Sequence, residues 1–192
     1  MADDAEVIAD KQRLRSRIEA ARRALAPTDV DAARRSVASA VLARCDADAD
    51  AGRPWRHVFG YEAINAEPSS PALLNGLLER GCSVYLPVLR ADRDLDWRQA
   101  DNSSRHGFER HGVELVRRAD AVLVPAFAVD IAGMRLGRGG GSYDRVLARV
   151  PATAALAALL HRGELVEQVP AQSWDRPVRS VVTPDGWLDL PQ

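Results

Sequence analysis

Cysteine is nearly absent from this chain of 192 residues: Cys45 and Cys82 are the only two, and neither stands in a Cys-x-x-Cys or Cys/His cluster. That excludes a disulfide scaffold and argues against a structural zinc. There is no excess charge of one sign, with 26 basic and 27 acidic residues and a formal net charge of −1. No global field therefore points to nucleic acid or to an anionic membrane, and the basic residues are too dispersed to form a patch. No apolar run reaches membrane length, and the acidic, polar N-terminus has no signal-like core. His106, His111 and His161 have no metal-ligand spacing and receive no role. These absences leave a cytoplasmic enzyme or binding protein with one domain over residues 1–192, long enough to bury a substantial core.

The most informative residues that are present run from Arg135 to Arg145 and read RLGRGGGSYDR. They follow the apolar run Ala121–Phe127, which reads as a buried strand, and precede Tyr143–Val150, whose apolar spacing is helical. A turn carrying Gly137, Gly139, Gly140 and Gly141 can take positive φ and come close to a ligand. Its N–H groups, with those of the helix start, form a concave anion site, and Arg135 and Arg138 add guanidinium forks suited to phosphate. It is neither a Walker loop, lacking the Gly-Lys-Ser/Thr, nor the G-x-G-x-x-G dinucleotide fingerprint. The competing reading is a solvated glycine turn.

Elements around this turn alternate in type. A helix from about Asp10 to Leu25 carries Leu14, Ile18, Ala21 and Leu25 on one stripe and Lys11, Arg15 and Arg22 on another. Pro27 ends it, and Thr28 is the expected N-cap of a second helix, followed by a loop from Cys45 to Gly52. A strand over His57–Tyr61 comes next, then a helix with Ser70 as N-cap, Pro71 first and Gly81 ending it. Val84–Val88 is a strand, and residues 90–118 read as irregular with a short strand near Leu95–Trp97. Ala155–Leu160 fits strand or helix, and Val178–Thr183 is a late strand before the turn Pro184-Asp185-Gly186. The fold class expected is α/β, a single three-layer domain with a largely parallel sheet and helices on both faces.

Four segments, taken in order, resemble the 5-formyltetrahydrofolate cyclo-ligase family, whose members are also called methenyltetrahydrofolate synthetases. Lys11-Gln12-Arg13-Leu14-Arg15 is similar to the family's Lys-x-x-Leu-Arg, and Tyr61 with Glu67 to its Tyr…Glu segment. RLGRGGGSYDR resembles the signature RLGRGGGYYD, and Pro170–Asp175 leading to Val181-Val182-Thr183 its closing Pro-x-x-x-His-Asp…Val-Val-Thr. The resemblance implies ATP- and Mg²⁺-dependent closure of 5-formyltetrahydrofolate to 5,10-methenyltetrahydrofolate, with release of ADP and phosphate. It implies ATP binding by Lys11, Arg15, Arg135, Gly137, Arg138, Gly139, Gly140, Gly141, Ser142 and Tyr143. A folate would meet Tyr61, Glu67, Arg138 and Ser142; Asp144 and Asp175 would hold Mg²⁺, and Arg138 and Asp144 would be catalytic. A monomer acting on a small molecule, with no nucleic acid or membrane partner, is expected.

The sequence departs from the family pattern at named positions. Ser142 stands where an aromatic is usual, Trp174 where His precedes the aspartate, and Glu114-Leu115 where Glu-Pro is common. Arg162 lies where an acidic or polar residue is frequent. The phosphate side is thus better kept than the folate side. Beside the cyclo-ligase reading stand a nucleotide- or folate-binding homologue without turnover, and an ATP-using ligase for another formylated or acylated small molecule.

Overall fold

The structure, a computed structural model, describes residues 4–100 and 109–191. In chain order its elements are α1 (Asp4–Ala24), α2 (Pro27–Asp50), β1 (His57–Phe59), α3 (Pro71–Glu79), β2 (Ser83–Leu89), β3 (Leu95–Gln99) and β4 (Arg110–His111). A 3₁₀ helix (Val113–Arg118) leads to β5 (Ala121–Pro125), β6 (Ala128–Asp130), β7 (Arg135–Leu136) and α4 (Ser142–Leu147). The chain ends through β8 (Ala155–Leu159), β9 (Leu165–Val166), β10 (Ser180–Thr183) and β11 (Gly186–Asp189). His106 lies outside the described residues.

Eight strands form one sheet in the order β11-β10-β8-β5-β1-β2-β3-β4. Its centre, β10 through β2, is parallel, and the antiparallel additions sit at the two edges. Near-continuous apolar runs such as Ala121–Val124 suit strands covered on both faces. One face packs on α2 and α3 through Val37, Val41, Leu73 and Leu77. The other packs on α4, the 3₁₀ helix and a second sheet, β7-β6-β9. In β6 the side chains alternate: Val129 joins the main core, whereas Ala128 meets Ile18 of α1. The small sheet therefore stands between the main core and α1, which makes the layering α/β/α on one side only by way of this insert.

Several local expectations need correction. Cys45–Asp50 is helix, not loop, because alanine favours helix and Asp48 ties down the last turn. Its carboxylate accepts from Arg44 Nε at 3.1 Å, Arg53 Nη2 at 2.8 Å and Trp55 Nε1 at 3.1 Å. α2 begins with Pro27 in its first turn after Ala26, so Thr28 lies inside the helix and not at its cap. α1 starts at Asp4, before the expected start near Asp10. Ser70 does cap α3, accepting from Leu73 N at 3.2 Å. The ambiguous segment after Pro151 is the strand β8, and β11 completes a hairpin beyond the late turn. No helix among the described residues is long and apolar enough to cross a membrane.

Candidate active site

The parallel strands bring their carboxyl ends to one edge. There the chain leaving β1 runs to Tyr61 and Glu67, while that leaving β5 runs the other way to Phe127 and β6. Diverging connections of this kind open a crevice at the carboxyl edge of an α/β sheet. A cavity of about 720 Å³ fills it. Its wall includes one stripe of α1, the glycine-rich turn, the segment around Asp175, the end of β5 with Phe127, and apolar residues of β2 and β3 (Pro87, Leu89 and Leu95). Five cations, Lys11, Arg15, Arg22, Arg135 and Arg138, face three carboxylates, Glu67, Asp144 and Asp175, so the wall favours an anion.

α1 explains half of this arrangement. Its buried positions are Lys11, Ile18 and Arg22, so the helix buries two cations for one aliphatic side chain. A buried cation needs a partner. Lys11 Nζ donates to Asp175 and, at 3.2 Å, to Gln172 Oε1. Arg22 makes a two-pronged pair with Glu164 at 2.6 and 2.7 Å and donates to the Ala126 carbonyl at 2.7 Å. Arg15 Nε donates to the Gly137 carbonyl at 2.8 Å. The helix thus clamps the glycine turn, the end of β5 and the late segment with three side chains on one face.

The glycine turn differs from its sequence reading in two ways. It follows the two-residue β7 and not β5, and the helix after it, α4, has only six residues. The cradle rests on side chains and loop amides more than on a helix end. Positive φ occurs at Gly139 (93°) and Gly141 (69°) and not at Gly137 or Gly140. At Gly137 a Cβ would lie 2.4 Å from Arg135 Nη1, so the guanidinium would have to shift. The Arg15 guanidinium covers Gly139, 3.5 Å from the position its Cβ would take.

Each remaining cation on the turn has a carboxylate. Arg135 Nη2 donates to Asp144 Oδ1 at 3.1 Å, and Arg138 Nη2 to Glu67 Oε1 at 2.8 Å. Glu67 is buried, and its second oxygen accepts from Ile64 N at 2.9 Å. Arg22 and Arg138 both lie over the Phe127 ring, at 5.3 and 5.6 Å, which joins the Glu67 and Arg22 parts of the cavity. Ser142 and Tyr143 line the same wall. Burial pushes the Tyr143 hydroxyl well up from its usual range, so it stays protonated and can donate.

Not every expected residue reaches the cavity wall. Tyr61 is buried in the core shared with α2 and α3 and lines no part of it. Burial raises its hydroxyl too, with the Glu67 charge as the next cause. Asp175 pairs with Lys11, not with Arg176 or Arg179. Trp97 is wholly buried against Phe59, ring edge to face at 4.7 Å. Arg162 pairs at the surface with Asp185, and Glu114 with Arg117 and Arg149. Sequence reasoning missed Arg22 and Phe127 as wall residues, and Glu164 as the partner of Arg22. The face shared by Lys11, Arg15 and Arg22 was the one signal available; nothing local marks Glu164.

The donor set fits a triphosphate and a hard cation. Tyr143 Oη and Arg135 Nε are buried without a hydrogen-bond partner among the described residues, and both residues line the cavity. Such donors cost about 1–3 kcal/mol when unmet, so they favour an acceptor-rich occupant. Among the described residues no three His, Cys, Asp or Glu side chains gather as a closed metal cage. Mg²⁺ does not need one, since it takes one or two carboxylates with water and phosphate oxygens. Asp144 and Asp175 supply that many on the same cavity.

Comparison with known proteins identifies relatives of the chain. The model of the 5-formyltetrahydrofolate cyclo-ligase family matches residues 7–184. A 5-formyltetrahydrofolate cyclo-ligase of Mycolicibacterium smegmatis is 38% identical over 174 residues, covering 79% of this chain and 88% of the relative. One of Escherichia coli is 30% identical over 137 residues, covering 65% and 75%. The solved structure of a 5,10-methenyltetrahydrofolate synthetase from Mycoplasma pneumoniae superposes with a TM-score of 0.76 at 18% identity, covering 91% of this chain and 99% of that one. That of an Aquifex aeolicus 5,10-methenyltetrahydrofolate synthetase does so at 0.71 and 23%, covering 95% and 93%, and the pair shows the shared fold.

Proposed function

The chain belongs to the 5-formyltetrahydrofolate cyclo-ligase family and is an enzyme of that activity; from this we propose that it works with ATP and Mg²⁺ in the cavity at the carboxyl edge of the sheet. The observation that carries the reading is the convergence of Lys11, Arg15, Arg135 and Arg138 on one glycine turn next to a buried carboxylate, Glu67.

The chemistry divides between the two sides of that turn. The γ-phosphoryl group of ATP passes to the formyl oxygen with release of ADP, and N10 attacks the formyl carbon and loses its proton to solvent. The carbon–oxygen bond then breaks and phosphate leaves, giving 5,10-methenyltetrahydrofolate. Transfer of this kind depends on positioning and charge stabilisation. Lys11, Arg15 and Arg135, with the amides of Gly139–Gly141, orient the phosphates. Arg138 stands between the phosphate side and Glu67, where it can meet charge developing on the transferred group. Glu67, held by Arg138 and Ile64 N, accepts hydrogen bonds from the pterin. Asp144 and Asp175 would hold Mg²⁺, which neutralises phosphate charge.

The proposed unit is a monomer acting on a small-molecule folate. The proposed compartment is the cytoplasm, in keeping with Cys45 and Cys82 as unpaired thiols. The test is the absorbance of the methenyl product when enzyme, Mg-ATP and 5-formyltetrahydrofolate are mixed. Product that forms only with ATP and Mg²⁺ present is the expected result. Product formed at the same rate without ATP would overturn the reading.

A further inference from the structure

Ile8, Lys11, Arg15 and Arg22 form one stripe of α1, and all four line the cavity. From Ile8 to Arg22 the helix rises about 21 Å, so the stripe is a ruler along the cavity. Its Arg22 end is the folate end: Arg22 shares the Phe127 ring with Arg138, and Arg138 holds Glu67. Its middle is the phosphate region, where Arg15 meets Gly137 and covers Gly139. One turn further, Lys11 holds Asp175. Beyond Lys11, on the side away from Glu67, the wall turns apolar. Ile8 lines the cavity there; Trp174, next in sequence to the Asp175 that Lys11 holds, lines it too, and each is 57% exposed.

Two large apolar side chains left in water at the end of a polar groove fit an occupant with a flat, weakly polar face. A nucleoside triphosphate whose phosphates lie against Arg15 and Lys11 extends its base in this direction, because the other direction is taken by Glu67 and the second substrate. We propose that Trp174, backed by Ile8, is the platform on which the base of the nucleotide stacks. This rests on the reading of the cavity as a site for ATP. The indole follows directly before Asp175, so the segment that would help hold the metal also carries the platform. Stacking of a base on an aromatic ring depends on its π-face and not on hydrogen-bonding edges. The site so built selects a base over no base and discriminates poorly between purines.

Steady-state kinetics of Trp174→Ala and Trp174→Phe beside the parent enzyme test this. The alanine variant is expected to raise KM for ATP by roughly 5- to 150-fold, the range that loss of a base–aromatic stack covers. KM for 5-formyltetrahydrofolate should be unchanged, and Trp174→Phe should recover most of the loss. Inhibition by tripolyphosphate, which has no base, should be equal in parent and alanine variant. A second readout uses fluorescence. Trp55 and Trp97 are buried and Trp187 partly so, which makes Trp174 the most exposed indole. Mg-ADP should shield it from iodide quenching. A rise in folate KM with ATP KM unchanged, or quenching unaffected by Mg-ADP, would overturn the platform while leaving the reaction standing. A parent enzyme that turns folate over without ATP would instead overturn the reading beneath it.

Discussion

Arg138 and Glu67 are separated by 71 residues of sequence and joined by a 2.8 Å hydrogen bond across the cavity. Glu67 is 7% exposed at its side chain and Arg138 49%, so the carboxylate is fixed and the guanidinium is the more accessible partner. The pair links the turn proposed to hold phosphate with the loop proposed to meet the second substrate. A group in that place can report the arrival of one substrate to the other.

Arg138→Ala should therefore reduce kcat/KM by roughly 10- to 150-fold, the factor set by a hydrogen bond to a charged group of about 1.5–3 kcal/mol. Glu67→Gln should raise the folate KM and leave the ATP KM nearly constant. Because both variants disturb the same bond, the double variant should lose less than the product of the two losses. Fully multiplicative losses would show that the two side chains act separately.

Asp144 meets Arg135, whose side chain is almost wholly buried. Asp144→Asn removes a charge that serves both this pair and the proposed metal. The Mg²⁺ concentration for half-maximal rate should rise, and the melting temperature should fall slightly because a buried guanidinium loses its counter-charge. Unaltered Mg²⁺ dependence alongside a lowered melting temperature would reduce Asp144 to a structural partner of Arg135.

The Arg22–Glu164 pair is a stability determinant. Both side chains are under a tenth exposed, and Glu164 Oε2 also accepts from His161 N at 2.8 Å. Removing one partner of a buried pair costs about 3–5 kcal/mol. Glu164→Leu should lower the urea midpoint accordingly, and Arg22→Met with Glu164→Leu should recover part of the loss. A midpoint within experimental error of the parent in the single variant would contradict the assignment.

What the sequence made legible follows from which features are local. β5 and α3 with its Ser70-Pro71 cap are each encoded in contiguous residues, and each is where its residues place it, whereas the glycine turn is equally local but follows β7 and not β5. β6, β7 and β9 escape, because strands of two or three residues carry no measurable alternation. The helical end of α2 escapes because Asp48 is held by Arg53 and Trp55, residues outside the helix. At the site, Lys11, Arg15, Glu67 and Asp175 were legible only through resemblance to a family. Arg22 and Glu164 meet across 142 residues, and no spacing rule spans that distance.

Burial also sets a pH dependence. It pushes the Cys45 thiol from its ordinary value near 9 up to about 12, and it raises Cys82 as well. A group whose folded value is raised contributes its full stability below the unfolded value and loses it as pH rises toward the folded one. Stability should hold to about pH 8.5 and decline between pH 9 and 12. Cys45→Ala should flatten that decline in urea titrations across pH, and an equally steep decline in the variant would assign it to other groups, with the buried Tyr61 and Tyr143 hydroxyls the next to test.

Ser142 opens α4 and lines the cavity beside Tyr143, at a position where the family usually carries an aromatic. An aromatic face there adds about 0.5–1.5 kcal/mol to contact with a flat substrate, and serine forgoes it. Gly140 and Gly141 precede Ser142, and a Cβ added at Gly141 would meet nothing within 4 Å. Ser142→Tyr should accordingly lower the folate KM by roughly 2- to 10-fold at saturating Mg-ATP, with the ATP KM little changed. If serine is instead there to admit a bulkier substrate, tyrosine would clash with it and the folate KM would rise or turnover cease. The direction of one kinetic constant separates a weakened folate site from an altered one, and a raised KM rejects the former.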